Sequence, residues 1–205
     1  MLTAALKRRS TPQQARSRAT MERVLQASAD LLHEVGVDGF NTNLLAERAG
    51  VGVRAIYRYF PNKLAILVAM AEQLRETEHA WIGDLRALAS GGDWRAAVDQ
   101  SIDGYYRAAS THRGYAALRA ASQAVPELRA IDMASSQTLQ DELATGLTGL
   151  GVSLAPEHLN ALCHVIIESA NRILDIALQS PPEAADLLVR ELKHMIVNLL
   201  ADYVE

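Results

Sequence analysis

Cysteine is almost missing from this chain, which has Cys163 alone among its 205 residues. One cysteine cannot pair within the chain, so a disulfide-built secreted scaffold is excluded and a reducing compartment is favoured. Long apolar runs are missing too, because polar residues interrupt even the strongest one, from Cys163 to Leu178. We therefore expect no membrane span. The first residues also lack the apolar run of a signal peptide, so a cytoplasmic protein is expected.

Signals for β-strands are equally scarce. Aromatic residues make up only 5% of the chain, and β-branched and aromatic residues nowhere alternate with polar ones. Ala, Leu, Glu, Gln and Arg fill the long segments instead, and apolar residues recur three and four positions apart, as in amphipathic helices. The sequence therefore predicts an all-α fold of about nine helices. They are expected at about 24–35, 42–49 and 53–60, from just after Pro61 to at least Leu85, and at about 94–110, 113–124, 126–150, 156–179 and 183–203.

The net charge of −4 conceals an asymmetry. Residues 1–63 contain ten basic and five acidic residues, a net charge of +5, whereas residues 64–205 contain ten basic and 19 acidic residues, a net charge of −9. Exposed charges act over about a Debye length, roughly 8 Å at physiological salt, so a basic head can attract a polyanion despite an acidic body. Random scatter is the alternative. The asymmetry favours a nucleic-acid-binding segment within residues 1–63.

Residues 41–60 have the pattern of a helix-turn-helix. Two short helical segments flank Gly50, which can adopt a positive φ in a tight turn. Arg54, Tyr57 and Arg58 share one face of the second helix, at i, i+3 and i+4, opposite its apolar side. Such a motif places its second helix in the major groove of DNA. The predicted contacts between the two helices are made by Leu45, Ala46, Ala49, Val51, Ile56 and Phe60.

The segment from Leu31 to Leu67, LLHEVGVDGFNTNLLAERAGVGVRAIYRYFPNKLAIL, resembles the DNA-binding segment of the TetR family of transcriptional repressors. Its strongest elements fall in register without a gap. They are Gly36, Thr42, Leu45-Ala46, Ala49-Gly50-Val51, Ile56-Tyr57, Tyr59-Phe60 and Lys63. The resemblance implies a basic arm and DNA-binding head at 1–63, followed by a helical effector-binding and dimerisation domain at 64–205.

The resemblance also implies how the head contacts the DNA backbone. The hydroxyl groups of Thr42 and Tyr57 would contact phosphates, and Lys63 would clamp a phosphate from the start of the fourth helix. Arg58 shares the helix face of Tyr57 and is expected to be a further phosphate partner. Such contacts position the protein without reading the DNA sequence.

Base contacts are expected at the start of the second helix of the motif. Arg54 can donate two hydrogen bonds to guanine O6 and N7, worth about 1–3 kcal/mol of discrimination, and Val53 can touch a thymine methyl group. Asn43 is expected to face the groove. Two positions depart from the family pattern: Gly52 replaces a polar cap, and Arg54 occupies a position that is often small. The basic arm, residues 1–15, either contacts DNA or is a solvated tail.

The last two helices, at about 156–203, are too apolar to be covered by one neighbour. Apolar residues occupy more than one helix face between Leu159 and Leu178 and recur from Leu187 to Leu200, so a further surface must cover them. The resemblance implies that a second copy supplies it. We predict a homodimer with recognition helices about 34–36 Å apart on a near-palindromic double-stranded DNA operator.

The effector site is predicted from polar and aromatic residues on the helices expected to surround it. His164 and Glu168 share a helix face at i, i+4, as do Asn171 and Asp175. A structural role in the core or at an interface is the alternative for each. The effector candidates are Trp81, Tyr105, Tyr106, His112, His164, Glu168, Asn171 and Asp175.

Catalytic and metal-binding patterns are missing from the sequence. It has no glycine-rich phosphate loop, nucleophile elbow or HExxH motif, so no enzyme is expected. His158, Cys163 and His164 do not share a helix face, so neither a metal nor a cofactor is expected. The helix-turn-helix and the family resemblance together imply a repressor that a small apolar or aromatic effector releases from DNA. The alternatives are an activator, or a dimeric ligand-binding protein of the same fold.

Overall fold

The computed structural model describes residues 15–82, 85, 88 and 92–204, without the side chains of Trp81 and Ile82. This part of the chain contains nine helices and no strand. They are α1 (Ala15–Gly39), α2 (Thr42–Ala49), α3 (Val53–Tyr59), α4 (Lys63–Ile82), α5 (Trp94–Thr111), α6 (Tyr115–Ala124), α7 (Pro126–Gly149), α8 (Pro156–Ala177) and α9 (Pro182–Ala201). The predicted all-α fold is confirmed. The predicted arm lies outside the described residues except for Ala15.

The first helix, α1, is longer than its apolar pattern predicts. The pattern begins at Val24, but the helix reaches back to Ala15 through a segment that contains Arg, Met and Glu, which favour helix. Near the other end, Gly36 has φ 65° and ψ −174°, outside the helical region, so a kink precedes Gly39. Glycine adopts this positive φ at low cost. The buried side chain of Phe40 then anchors the chain before α2.

The chain folds into two compact units. The first comprises the described residues up to Leu74 together with His112–Asp132, and the second comprises Arg75–Thr111 and the residues from Met133 onward. The first unit therefore extends beyond Lys63, and it also takes in α6, because α6 packs against α1. The predicted head, which ends at Lys63, stays a prediction.

Within the first unit, α1 packs against both α2 and α6. Immediately before α6, Gly114 has φ 77°, and a Cβ atom there would lie 2.7 Å from the carbonyl oxygen of Ala29 on α1. Glycine alone combines this backbone angle with such a close approach. Beside it, Arg113 Nη1 lies 3.1 Å from Asp30 Oδ1. The start of α6 is thus held against the middle of α1.

Within the second unit, α9 packs against both α8 and α5. Lys193 Nζ on α9 lies 2.6 Å from Asp103 Oδ1 on α5.

Cys163 is buried, and burial raises the pKa of its thiol to about 11, so the reactive thiolate is scarce at neutral pH. Among the residues described, no helix has both the length and the hydropathy to cross a membrane. The large apolar side chains left exposed on α8 and α9 are Val165, Ile176, Leu187 and Met195.

Candidate nucleic-acid interface

The start of α2 is fixed by a side-chain cap. The Asn41 side-chain oxygen accepts hydrogen bonds from the backbone N–H groups of Asn43 at 3.1 Å and Leu44 at 3.0 Å. Asn41 is therefore the N-cap of α2. Thr42 is then the first helical residue, and its side chain is available for other contacts.

A tight turn joins α2 to α3. Gly50 has φ 62° and ψ 39°, the left-handed conformation, and the Val51 N–H donates to the Ala46 carbonyl oxygen at 3.0 Å. Gly52 precedes α3 and supplies no side-chain hydrogen bond, as expected for glycine at a cap position. The turn therefore brings two helices of eight and seven residues together with three residues between them.

Buried apolar side chains fix the orientation of α3. Leu45, Ile56 and Phe60 are fully buried, and of the six predicted contact residues only Val51 is half-buried rather than buried. A helix as short as α3 is not stable alone. Its position in the unit is therefore set by these contacts and by the turn.

The opposite face of α3 is exposed and basic. Arg54 and Arg58 are exposed, and Tyr57 is 39% exposed. The Tyr57 hydroxyl lies 3.2 Å from Thr42 Oγ1 at the start of α2. This contact joins the two hydroxyl groups that are predicted to meet phosphates, so both would approach the same stretch of a backbone.

Lys63, at the start of α4, is half-buried. Its Nζ donates a hydrogen bond to the Val37 carbonyl oxygen at 2.6 Å, next to the kink of α1, and uses one of its three hydrogens. Asn43 on α2 is exposed, and Val53, the first residue of α3, is half-buried. All seven predicted DNA contacts thus belong to the first unit, on α2, α3 and the start of α4.

Arg48 has a role in the structure that its place in the sequence does not indicate. Its guanidinium binds both carboxylate oxygens of Glu34, with Nη1 2.7 Å from Oε1, which ties α2 to α1. These hydrogen bonds lower the pKa of the Glu34 carboxyl. The residues are 14 positions apart on different helices, so the periodicity of neither helix could have indicated the pair.

The second unit contains an apolar cavity of about 90 Å³. Aliphatic side chains from α5, α7, α8 and α9 form most of its wall, and Tyr105 and Asn171 are the two predicted effector residues that line it. The Tyr105 hydroxyl donates to Glu78 Oε1 at 3.3 Å, and Asn171 Nδ2 donates to Ser136 Oγ at 3.0 Å. Both of these polar groups thus already form hydrogen bonds with neighbouring side chains.

Five predicted effector residues do not line this cavity, and the side chain of a sixth, Trp81, lies outside the described residues. His164 and Glu168 share a face of α8, as predicted, but that face is exposed. The others are Tyr106, half-buried on α5, Asp175, buried on α8, and His112, exposed in the first unit. No group of three His, Cys, Asp or Glu side chains able to hold a metal ion occurs among the described residues.

Two family models match the chain in succession. Residues 24–70 match the model of bacterial regulatory proteins of the tetR family. Residues 93–200, more than half of the chain, match the model of the tetracyclin repressor-like C-terminal domain. The first match contains α2 and α3, and the second extends from just before α5 nearly to the end of α9.

The chain is also similar in sequence to curated tetracycline repressor proteins. The tetracycline repressor protein class A from transposon 1721 of Escherichia coli is 34% identical over 110 residues, which are 53% of this chain and 49% of that protein. The chain thus spans about half the length of the curated relatives it matches.

Solved structures extend the likeness to nearly the whole chain. A TetR-family transcriptional regulator from Streptomyces coelicolor has a TM-score of 0.65 and 25% identity, covering 90% of this chain and 99% of that one. The SmeT–triclosan complex has the same fold, with a TM-score of 0.70 and 22% identity over 91% of this chain and 92% of that one. Because both family models match and the fold is that of TetR-family regulators, the chain belongs to the TetR family of bacterial regulatory proteins.

Proposed function

We propose that the protein is a DNA-binding transcriptional repressor that acts in the cytoplasm. The observation that carries this proposal is the exposed face of α3, where Arg54, Tyr57 and Arg58 project from a helix that Ile56 and Phe60 anchor in the core. The apolar packing of α3 does not require this basic and aromatic face. The matched relatives are named as repressors, which supports the direction of control.

The proposed contacts with DNA are of two kinds, contacts with phosphates and contacts with bases. Hydroxyl and cationic groups of Thr42, Tyr57, Arg58 and Lys63 bind phosphates and so position α3 in the major groove. The base contacts are made by Asn43, Val53 and Arg54, with the Arg54 guanidinium donating to guanine. The short distance between Thr42 Oγ1 and Tyr57 OH supports a shared phosphate for those two residues.

The operator-binding form is a homodimer in this proposal. Four large apolar side chains on α8 and α9 are more than a third exposed in the single chain, namely Val165, Ile176, Leu187 and Met195. Exposing several large apolar side chains on two neighbouring helices to water is unfavourable. A second copy of the same helices would cover them around a two-fold axis. The operator would then be a near-palindrome with recognition helices about 34–36 Å apart.

The proposed signal is a small molecule bound in the apolar cavity of the second unit. α4 begins at Lys63 in the first unit and continues into the second, so a change at the cavity that tilts α4 would displace a phosphate contact. A coupling free energy of about 1–3 kcal/mol would lower operator affinity roughly 5–150-fold.

The experiment that tests the proposal compares Arg54→Ala with Arg48→Ala. Each removes one exposed cation, but Arg48 is held by Glu34, whereas Arg54 belongs to the proposed reading face. Mobility shift with DNA flanking the protein's own gene should show specific binding by the unaltered protein. Arg54→Ala should reduce the preference for this DNA over unrelated DNA at least about 10-fold. Arg48→Ala should leave the preference within about 2-fold, because an exposed ion pair contributes little.

Equal preferences for the two variants would remove Arg54 from base reading. Failure of the unaltered protein to bind any DNA at low salt would support the dimeric ligand-binding alternative. A reporter fused to the flanking promoter distinguishes the direction of control: its transcription should rise when the gene for this protein is deleted, and a fall would identify an activator.

A further inference from the structure

A second cavity adjoins the apolar cavity of the second unit. It has a volume of about 110 Å³ and lies at the start of α5. Four residues line both cavities, namely Leu85, Leu88, Ala97 and Ser101. Because the cavities share these side chains, they are neighbouring compartments.

Trp94, the first residue of α5, lines the second cavity and is only 6% exposed. Its indole N–H is buried, and the described part of the chain offers it no acceptor within hydrogen-bond distance. The indole nitrogen can donate but cannot accept. Since a buried donor without an acceptor is costly and rare, this position is suited to a ligand atom that accepts a hydrogen bond.

The charged groups around Trp94 restrict the class of ligand. Asp93 Oδ1 caps α5 by accepting from the backbone N–H groups of Arg95 at 3.0 Å and Ala96 at 3.3 Å. The Arg95 guanidinium stacks on the Trp94 ring, 4.2 Å from its centroid, and helps to hold the indole in place. Asp93 is the one charged residue among the described residues that line the two cavities.

An anionic ligand is disfavoured at this site for two reasons. Asp93 would repel it, and among the described residues no cation lines either cavity to pair with its charge, since Arg95 stacks on Trp94 without being one of the lining residues. A ligand with many hydroxyl groups is disfavoured as well, because the first cavity offers few polar groups, and Tyr105 and Asn171 already bond to neighbouring side chains. A neutral molecule with one acceptor avoids both costs.

We infer that the two cavities together bind a neutral, mainly apolar molecule whose carbonyl or ether oxygen accepts a hydrogen bond from the Trp94 indole N–H. The oxygen lies in the second cavity, and the apolar body lies against aliphatic side chains such as Leu143, Ile166 and Leu174 in the first. This inference rests on the proposed function for the role of the ligand as effector. The binding chemistry itself depends on the second unit alone.

The test uses three probes of similar size: acetophenone, which is neutral and has one acceptor, ethylbenzene, which has none, and benzoate, which is anionic. The full chain is labelled with ¹⁵N, and Trp81→Phe removes the other indole so that the remaining indole resonance belongs to Trp94. Acetophenone should move the Trp94 indole proton downfield in a saturable manner. Ethylbenzene should bind about 10-fold more weakly than acetophenone, because it makes no hydrogen bond.

Variants separate the indole N–H from the shape of the cavity. Trp94→Phe should weaken acetophenone about 10-fold and change ethylbenzene by less than about 2-fold. Gln100→Ala, at an exposed residue of α5 that is not among the lining residues of either cavity, is the control and should preserve the acetophenone shift of the Trp94 indole. If Trp94→Phe does not fold, the titrations of the chain that retains Trp94 still decide the question.

Three results would overturn the inference: ethylbenzene binding as tightly as acetophenone, benzoate binding more tightly than either, or an indole resonance that stays in place at saturation. The last result would mean that water or no acceptor at all occupies the position. None of these titrations contains DNA. A failure of the proposed DNA binding would therefore leave their outcome unaffected, and a failure of the ligand inference would leave the mobility shifts unaffected.

Discussion

Raising the salt concentration from 50 to 200 mM should weaken operator binding about 10²-fold. Each head has two cations among the proposed phosphate contacts, Arg58 and Lys63, so a dimer brings four to the DNA. Each phosphate that is neutralised releases counterions and contributes about −0.9 to the slope of log affinity against log salt concentration, so about four give a slope between about −3 and −4.

Fluorescence anisotropy of a labelled operator, titrated at four or five salt concentrations, measures this slope. Arg58→Ala should make the slope shallower by about 2 in the dimer, one unit for each lost phosphate contact. Arg48→Ala should leave it nearly unchanged, because Glu34 already pairs with that charge. A slope shallower than about −2 for the unaltered protein would contradict the proposed set of phosphate contacts.

Ile56 and Tyr57 are adjacent on α3, but replacing them should affect different properties. Ile56→Ala should lower the stability of the fold, and Tyr57→Phe should lower the affinity for DNA. Ile56 is fully buried, so Ile56→Ala should lower the free energy of unfolding by about 2–5 kcal/mol. Tyr57 is 39% exposed, so Tyr57→Phe should change it by less than about 0.5 kcal/mol. Loss of the Tyr57 hydroxyl should instead weaken DNA binding roughly 30-fold, since each head of the dimer loses a phosphate hydrogen bond worth about 1 kcal/mol.

Thermal unfolding followed by circular dichroism and anisotropy on the same preparations measure the two effects. Ile56→Ala should lower the midpoint temperature by about 2–4 °C for each kcal/mol lost. Tyr57→Phe should weaken binding to all DNA sequences by a similar factor, because a phosphate contact does not read bases. A Tyr57→Phe protein with unchanged DNA affinity would show that the hydroxyl does not contact the DNA backbone.

The helix-turn-helix could be predicted from sequence because its determinants are local. The Asn41 cap, the left-handed Gly50 and the apolar positions of α2 and α3 all lie within 20 consecutive residues. Each acts through a hydrogen bond, a backbone angle or a helical period that short sequence patterns report directly. The exposed face of α3 then follows from the buried one.

Contacts between distant segments could not be predicted in this way. The close approach of Gly114 to Ala29 joins residues far apart in the chain, and nothing near Gly114 indicates which helix it meets. The pair of Arg48 and Glu34 likewise depends on the packing of α2 against α1. The contact of Gly114 with Ala29, as part of the packing of α6 on α1, explains why the first unit includes α6, whereas the predicted head ends at Lys63.

The cavity of the second unit was the least predictable feature. The predicted effector residues are polar or aromatic, but the wall of the cavity is mostly aliphatic. Aliphatic residues give the same helical pattern whether they line a cavity or fill a core. His164 and Glu168 share a helix face as predicted, yet that face is exposed. Trp94 could not be predicted as a ligand-binding residue from the sequence. What marks it is a buried indole N–H without a hydrogen-bond acceptor, which depends on the three-dimensional structure.

The central claim is that the face formed by Arg54, Tyr57 and Arg58 reads DNA as part of a dimer. Selection of bound molecules from a library of random double-stranded DNA tests it most directly. The unaltered protein should enrich a near-palindrome with half-sites about 10–10.5 base pairs apart, centre to centre. Arg54→Ala should select the same half-sites with a relaxed base preference. Recovery of no common sequence at low salt, or of the same sequence with equal stringency by Arg54→Ala, would contradict it.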